Sequence, residues 1–322
     1  MDALPQPRRL VMKLMAAFLL LAANVFAQSA PRLFVANKNE NTISIVNAQS
    51  LTVERTIPVG AGPHELAISP DGTKAYVANA SGNSISVVDL RTHAEKKIMG
   101  PDFGYPHGIV FTPDGRRAIV TNERTRKIVI IDAATDEVMR SMDTDQGGTH
   151  MVVVNKAGTW AYFTNRESNT VSFMDLSNYR IVANVPVGRG GEGIALAPDE
   201  KEIWVGDRAD ATLSVIDVAK RQVVAKVPAG PSPVRLTFTP DGRHVLAPDR
   251  SNDVRVYDAA SRKQVATVKV DGNPGGILVS SDGKRAFVAC QGSSDVKVID
   301  TANWTVIGKV PAGRGADGVA FR

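Results

Sequence analysis

The segment PDGTKAYVANASGNSISVVD, residues 70–89, decides the fold. It begins with a Pro-Asp-Gly turn, continues in two short apolar runs and ends on an aspartate. Apolar runs with this kind of ending recur in steps of 42, 43, 43, 42, 41 and 42 residues, at Asn47, Asp89, Asp132, Asp175, Asp217, Asp258 and Asp300. A repeat of this length, made of short strands and tight turns, predicts a β-propeller.

Seven such units account for the chain after its first residues, with four short strands in each unit. The first unit begins with a second strand, residues 32–37, and the chain ends on a first strand, residues 318–322. Joining these ends completes a blade and removes an exposed sheet edge. We therefore predict an all-β, seven-bladed propeller closed by N-terminal strands and the C-terminal strand in one blade. An open β-solenoid is the alternative, and it would not need matching ends.

The first 27 residues have the pattern of a secretory signal peptide. Arg8, Arg9 and Lys13 precede an apolar stretch over residues 14–26, and Val25-Phe26-Ala27 resembles a cleavage site. An uncleaved anchor is the alternative, but the uncharged run contains polar residues and is short for a membrane span. We predict a signal peptide at residues 1–27 and a single propeller domain at residues 28–322. The mature protein would be periplasmic or secreted, with no stable membrane anchor.

Composition excludes several classes of function. The chain has 322 residues, of which 43% are apolar, enough for a large core. Its 38 basic and 33 acidic residues give a charge of +5. The sequence has no long basic run, so we expect no nucleic-acid binding. The single cysteine, Cys290, excludes an internal disulfide, Cys-x-x-Cys metal sites and covalent c-type haem attachment.

One position of the repeat concentrates metal-binding residue types. It lies just before each innermost strand, and around the ring it is occupied by His64, His107, His150, Glu192, Val234, Gly275 and Asp317. Imidazoles and a carboxylate that converge on the axis suit a divalent transition metal such as zinc, copper or iron. We predict His64, His107, His150 and Glu192 as ligands, with Asp317 as a further candidate. A protonated cluster that binds an anion, or histidines that bond only to backbone, are the alternatives.

A second ring closes the second strands, and most of its members are amides. It consists of Asn37, Asn79, Asn122, Asn165, Asp207, Asp249 and Cys290. The amides predict hydrogen bonds at strand ends, whereas Asp207 and Asp249 are candidate ligand-binding residues. Arg189, Arg208 and Arg314 occupy loops on the same predicted face, where their guanidinium groups could hold carboxylates or phosphates.

Several strands resemble the YVTN-type β-propeller repeat family. The matching stretches are RLFVAN at 32–37, AYVAN at 75–79 and AYFTN at 161–165. The resemblance implies the propeller fold and, more distantly, lactonase-like and lyase-like propellers. Trp160, Trp204 and Trp304 stand at unmatched positions, and no helix follows GRGGEG at 188–193. We therefore expect no haem, pyrroloquinoline quinone or nucleotide.

These observations lead to two functional hypotheses. The first is a periplasmic propeller that binds a divalent metal or a small anionic ligand at the entrance of its central channel. Its enzymatic form is a metal-dependent hydrolase or lyase that acts on an anionic substrate, with Arg189 or Arg208 holding a carboxylate. The second is a non-catalytic scaffold or carrier, which would bind a protein partner or deliver metal and would expose an apolar patch on one face.

Overall fold

The computed structural model describes residues 30–322, so the predicted signal peptide lies outside the described residues. The described residues form seven four-stranded antiparallel sheets, which confirms the predicted seven-bladed propeller. Their innermost strands contact one another around a central axis. In this part of the chain, no helix has the length and apolar character needed to cross a membrane.

The strands follow one another from the axis outward in every blade except the first. Blade 1 consists of β28 (Ala316–Phe321), β1 (Arg32–Asn37), β2 (Thr42–Asn47) and β3 (Thr52–Pro58). Blade 2 consists of β4 (Pro63–Ile68), β5 (Lys74–Asn79), β6 (Ser84–Asp89) and β7 (Glu95–Met99). Blade 3 consists of β8 (Pro106–Phe111), β9 (Arg117–Asn122), β10 (Lys127–Asp132) and β11 (Glu137–Asp143).

The remaining four blades repeat this arrangement. Blade 4 consists of β12 (Thr149–Val154), β13 (Trp160–Asn165), β14 (Thr170–Asp175) and β15 (Arg180–Pro186). Blade 5 consists of β16 (Gly191–Leu196), β17 (Glu202–Asp207), β18 (Thr212–Asp217) and β19 (Gln222–Pro228). Blade 6 consists of β20 (Thr237–Phe238), β21 (His244–Pro248), β22 (Asp253–Asp258) and β23 (Lys263–Lys269). Blade 7 consists of β24 (Pro274–Val279), β25 (Arg285–Cys290), β26 (Asp295–Asp300) and β27 (Thr305–Pro311).

The ring closes in blade 1, where the C-terminal strand β28 pairs with β1. Leu33 lies opposite Phe321, and Arg32 and Arg322 exchange two backbone hydrogen bonds of 2.7 and 2.9 Å. The last strand therefore satisfies the inner edge of β1, which would otherwise present unpaired N–H and C=O groups. The open-solenoid alternative is wrong, because this pairing joins the two ends of the repeat.

The core lies between blades rather than inside any one of them. A cluster of buried apolar side chains fills each of the seven interfaces between neighbouring blades. On β5, Val77 packs towards blade 1, whereas Tyr76 and Ala78 pack towards blade 3. Successive side chains of a strand point to opposite faces, so the middle strands must be apolar on both faces. This explains the continuous apolar runs of the repeat.

The recurring turn and aspartate residues bind backbone groups. Gly72 has a φ of 69°, and Asp71 Oδ1 accepts a hydrogen bond of 3.0 Å from the Thr73 amide. At the end of β10, Asp132 Oδ1 accepts from the amides of Ala134 and Thr135 at 2.8 and 3.0 Å. These aspartates fix the turns that aim each strand back along its blade.

The ring of strand-end residues also has a structural role. Asn79 Nδ2 donates to the hydroxyls of Ser84 and Ser86 at 3.1 and 2.9 Å. Asp207 sits at the equivalent place and accepts from the Ser214 hydroxyl at 2.7 Å and the Gly188 amide at 3.0 Å. Asn79 thus ties the end of β5 to β6, and Asp207 ties the end of β17 to β18 and to the loop before β16.

Replacing Asp207 tests this structural role. Burial raises the pKa of the Asp207 carboxyl, so its charge is unfavourable in the folded protein. Asp207→Asn, which restores the amide of other blades, should leave the free energy of unfolding unchanged or higher at pH 7. Asp207→Ala should lower it by about 1–3 kcal/mol, because buried donors lose their acceptor. Urea unfolding measures both variants, and an asparagine variant that is less stable than the alanine variant would contradict this assignment.

Candidate functional site

A β-bulge at the start of the inner strands positions the predicted ligand residues. In blade 3, Pro106 pairs with Asn122 and Ile109 pairs with Val120, so His107 and Gly108 together face Thr121. The same irregularity occurs in blade 4 at His150 and in blade 5 at Glu192. A bulge re-aims the side chain of its extra residue. Here the re-aimed side chains lie at the axis.

Neighbouring blades hold these bulges in place. Thr164 Oγ1 of blade 4 donates to the Glu192 carbonyl of blade 5 at 2.8 Å. Thr121 makes the matching bond to the carbonyl of His150. A side chain on Gly108 would place its Cβ only 2.8 Å from the His150 carbonyl oxygen, so glycine is required for this close approach. The backbone around the site is therefore fixed by contacts between blades.

The three histidines form a continuous stack. The ring centroids of His64 and His107 are 4.0 Å apart, and those of His107 and His150 are 3.6 Å apart. All three side chains are buried. Among the described residues, His64 Nδ1, His107 Nδ1 and His150 Nε2 are buried atoms without a hydrogen-bond partner. Such unpaired nitrogens are costly unless a ligand occupies them.

Carboxylates flank both ends of the stack. His150 Nδ1 bonds to Glu123, while its Nε2 lies 3.8 Å from Glu192 Oε1. At the other end, Asp317 Oδ2 lies 3.1 Å from His64 Nδ1, although the angle does not suit a hydrogen bond. Glu123 thus lies behind the His150 ring, opposite the unpaired Nε2, where a carboxylate fixes the orientation of an imidazole and raises its basicity towards a metal.

The environment keeps two of the imidazoles neutral. Burial lowers the pKa of His64 to about 3, against the opposing effect of the Asp317 charge. Burial also holds the pKa of His107 well below its usual value, with the neighbouring His150 and His64 as further causes. Neutral imidazole is the form that binds metal, whereas imidazolium binds anions. At neutral pH, these two histidines therefore favour the metal-binding alternative.

Arg235 joins three blades at the axis. Its guanidinium donates to Glu65 Oε1 at 2.6 and 2.8 Å and to Glu192 Oε1 at 3.2 Å. Burial opposes the charge of Glu192, but His150, Arg235 and Arg208 outweigh it and hold the pKa of this carboxyl far below its usual value. Glu192 is therefore ionised and already shared among several cations. It is a weaker candidate for a direct metal bond than the histidines.

A funnel of about 350 Å³ opens above these groups. Three histidines and Tyr105 contribute to its wall. Its cationic side chains are Lys38, Arg124, Arg166, Arg208, Arg235 and Arg250. Its anionic side chains are Glu123, Glu192 and Asp317. Leaving the histidines out of the count, the charged side chains of the lining carry an excess of three positive charges.

The structure brings together some of the predicted site residues and separates others. Those that line the funnel are His64, His107, His150, Glu192, Asp317 and Arg208. Arg189 and Arg314 lie on the outside, where their side chains are 73% and 74% exposed and pair with Asp210 and Glu40. Asp207 and Asp249 belong to the strand-end ring, and Asp249 accepts from Arg255 at 2.7 Å. These four residues do not reach the funnel.

Several residues of the site were not predicted from the sequence, among them Glu65, Arg235, Lys38 and Gln291. Glu65 and Arg235 directly follow the predicted ligand position, where the other blades have glycine or methionine. Lys38 and Gln291 follow the strand-end ring, at the position that Arg208 occupies in blade 5, and both line the funnel. For Glu65 and Arg235, a charged residue at a position that is uncharged in the other blades was the signal available in the sequence.

The comparisons with known proteins agree with the fold. Residues 11–100 match a family model described as YNCE-like beta-propeller, and residues 116–236 match one described as Cytochrome D1 heme domain. Each match covers less than half of the chain. No curated protein sequence matches it.

Two solved structures resemble the whole propeller. One is hydrazine synthase from Kuenenia stuttgartiensis, with a TM-score of 0.73 and 19% identity over 81% of this chain and 90% of that chain. The other is a functionally unknown protein from Desulfotomaculum acetoxidans, with a TM-score of 0.77 and 14% identity over 90% of this chain and 98% of that chain. At these identities the likeness shows the fold alone.

The cytochrome D1 match corrects one expectation. The sequence analysis excluded haem, and the match of residues 116–236 to a haem domain contradicts that exclusion. Two features of the funnel suit a haem. Histidine is a common ligand of haem iron, and arginines pair with the carboxylates of a haem. The unpaired imidazole nitrogens would supply the first, and the funnel arginines the second.

The predicted resemblance to YVTN-type propellers is confirmed at the level of the propeller family. The chain is a seven-bladed β-propeller, similar to YNCE-like propellers in its first blades and to the cytochrome D1 heme domain in its middle blades.

Proposed function

We propose that the funnel binds a transition-metal centre through the imidazoles of His64, His107 and His150. The centre is either a divalent ion, which can take more than one of these imidazoles, or the iron of a haem, which would take one of them. One observation carries the proposal: three stacked, buried imidazoles have unpaired ring nitrogens, and a carboxylate lies next to each end of the stack. We place the protein in the periplasm or outside the cell, as the leader pattern suggests.

His107 is central to this proposal. It contacts both other rings, and it belongs to both groups of side chains that could hold an ion: His64, Glu65 and His107, and His107, Glu123 and His150. Only three of the seven equivalent positions around the axis carry an imidazole. A centre bound here would keep an open side towards the funnel.

An open metal position next to cationic side chains suits chemistry on an anionic substrate. A bound divalent ion would supply Lewis-acid polarisation of a carbonyl and acidify a bound water. Arg208 would orient the substrate, because part of its guanidinium faces the funnel while Nε donates to Ser232 Oγ at 2.9 Å. A metal-dependent hydrolase or lyase is therefore the enzymatic form of the proposal.

The scaffold alternative receives no specific support. It predicted an apolar patch on one face of the disc. The exposed large apolar side chains among residues 30–322 lie instead on the outermost strands, among them Met99, Met139 and Ile307. They are distributed around the circumference, one or two to a blade. A protein partner remains a prediction.

Metal and haem binding test the proposal directly. The full chain is exported, purified without a tag, stripped with a chelator and titrated with Zn²⁺ by calorimetry and with haemin by absorbance. Wild-type protein should bind one equivalent of at least one of them. His107→Gln should weaken that binding at least tenfold, about 1.4 kcal/mol, because a ligand is lost.

His244→Gln is the matched control. His244 contacts Trp304 edge to face outside the funnel, with ring centroids 5.1 Å apart, so its loss should leave binding unchanged. Binding of Zn²⁺ alone identifies an ion site, and binding of haemin alone identifies a haem site. Wild-type protein that binds neither, or a folded His107→Gln variant that binds as tightly as wild type, overturns the proposal.

The stability of the metal-free protein should fall in acid because of the neutral histidines. Unfolding restores the ordinary pKa of His64, about 6.5. Below that pH, the unfolded chain therefore binds a proton that the folded chain does not bind. The contribution is complete above pH 6.5 and is lost as pH falls towards about 3. His107 acts in the same direction.

Substitution isolates this contribution. In chelator, the free energy of unfolding of wild type should fall more than that of His64→Gln between pH 7.5 and 4.5, by about 2 kcal/mol. Urea unfolding at both pH values measures the difference, with the pH 7.5 values as the reference. Equal losses in the two proteins would show that His64 is not held neutral by the fold.

A further inference from the structure

Arg250 is a cation of the funnel without an anionic partner. It follows the end of β21, the second strand of blade 6, and is half-buried, and its Nη1 donates to the Asn273 side chain. Among residues 30–322, no carboxylate oxygen lies within 4.0 Å of its guanidinium. Burial, and then the charge of Arg208, lowers the pKa of Arg250. The fold therefore holds two like charges near each other in a partly enclosed space, which is unfavourable without a counter-ion.

The carboxylates already present cannot neutralise it. Glu192 contacts Arg235, Arg208, Arg166 and His150. Asp317 lies near His64 and Lys38. Glu65, which lies outside the lining and pairs with Arg235, offsets one more charge and leaves an excess of two positive charges. The missing negative charge must come from outside the chain.

The donors that remain suit a carboxylate. Arg250 uses one nitrogen for Asn273, and Arg208 uses Nε for Ser232 and Nη1 for Glu192. Their other N–H groups have no acceptor among the described residues, although both side chains line the funnel. A planar guanidinium presents paired donors that match the two oxygens of a carboxylate.

We propose that Arg250 and Arg208 bind the carboxylate of an organic anion in the funnel, beside the histidine stack. This deepens the proposed function by naming the ligand that shares the cavity with the metal centre. The volume of about 350 Å³ suits a small organic acid. The carboxylate belongs either to a free acid of that kind or to the acidic arms of a haem, and the experiment separates these sources.

The first arm uses metal-free, haem-free protein, so it does not depend on metal binding. Calorimetry measures succinate binding, with the uncharged dimethyl succinate as the ligand control. Wild type should bind succinate and not the ester, and Arg250→Gln should bind at least tenfold more weakly. Arg243→Gln is the matched protein control, because its side chain is 79% exposed and lies outside the funnel.

The second arm uses haemin and its dimethyl ester. Haemin bound at least tenfold more weakly by Arg250→Gln, with the ester unaffected, assigns the carboxylate to a haem. Succinate binding that depends on Arg250 assigns it to a free acid. The proposal is overturned if neither succinate nor haemin binding changes in folded Arg250→Gln.

The two proposals fail in different ways. Loss of Zn²⁺ or haemin binding in His107→Gln tests the metal centre. Succinate binding to metal-free His107→Gln should persist, because the arginines remain. A protein that binds succinate but no metal centre would keep the anion site and reject the metal function.

Discussion

The β-bulge at the start of the inner strand, present in six of the seven described blades, is the constraint on which the site depends. It directs side chains such as those of His107 and His150 to the axis, and threonines of the preceding blades bond to the carbonyls of His150 and Glu192. Since the blades share one axis, charged side chains from different blades meet there and can balance one another. The network of Arg235, Glu65 and Glu192 shows this balance, because its members come from blades 6, 2 and 5.

The axis divides into a histidine side and an arginine side. His64, His107 and His150 occupy consecutive blades and stack on one another. The arginines cluster on the following blades, where Glu192 pairs with Arg208 and Arg235. Imidazole donors next to a positive region can bind a metal and an anion together without either competing for the same side chains. The division arises because the repeat is regular in backbone and irregular in side chains.

The repeat made the fold and the histidine cluster predictable from the sequence. Equivalent positions of a propeller converge, so a residue's place in the period gives its place in the ring. It does not give the direction of a long side chain. The repeat therefore did not predict that Arg189 and Arg314 point outward and pair with Asp210 and Glu40. The ion pair of Arg235 and Glu65 was not predicted, because it joins blades 2 and 6 and repeat spacing alone does not indicate such a pairing.

The ring position before each innermost strand provides seven side-chain positions around one cavity. Five carry histidine or a carboxylate, whereas Val234 and Gly275 carry no functional group. The backbone geometry at each position is set by inter-blade contacts rather than by its side chain. New donors could therefore be installed at Val234 by design, while Gly275 has less room because an added Cβ would lie 3.1 Å from Asp317 Oδ1. The propeller thus offers a natural scaffold for engineered binding sites with selectable ligand sets.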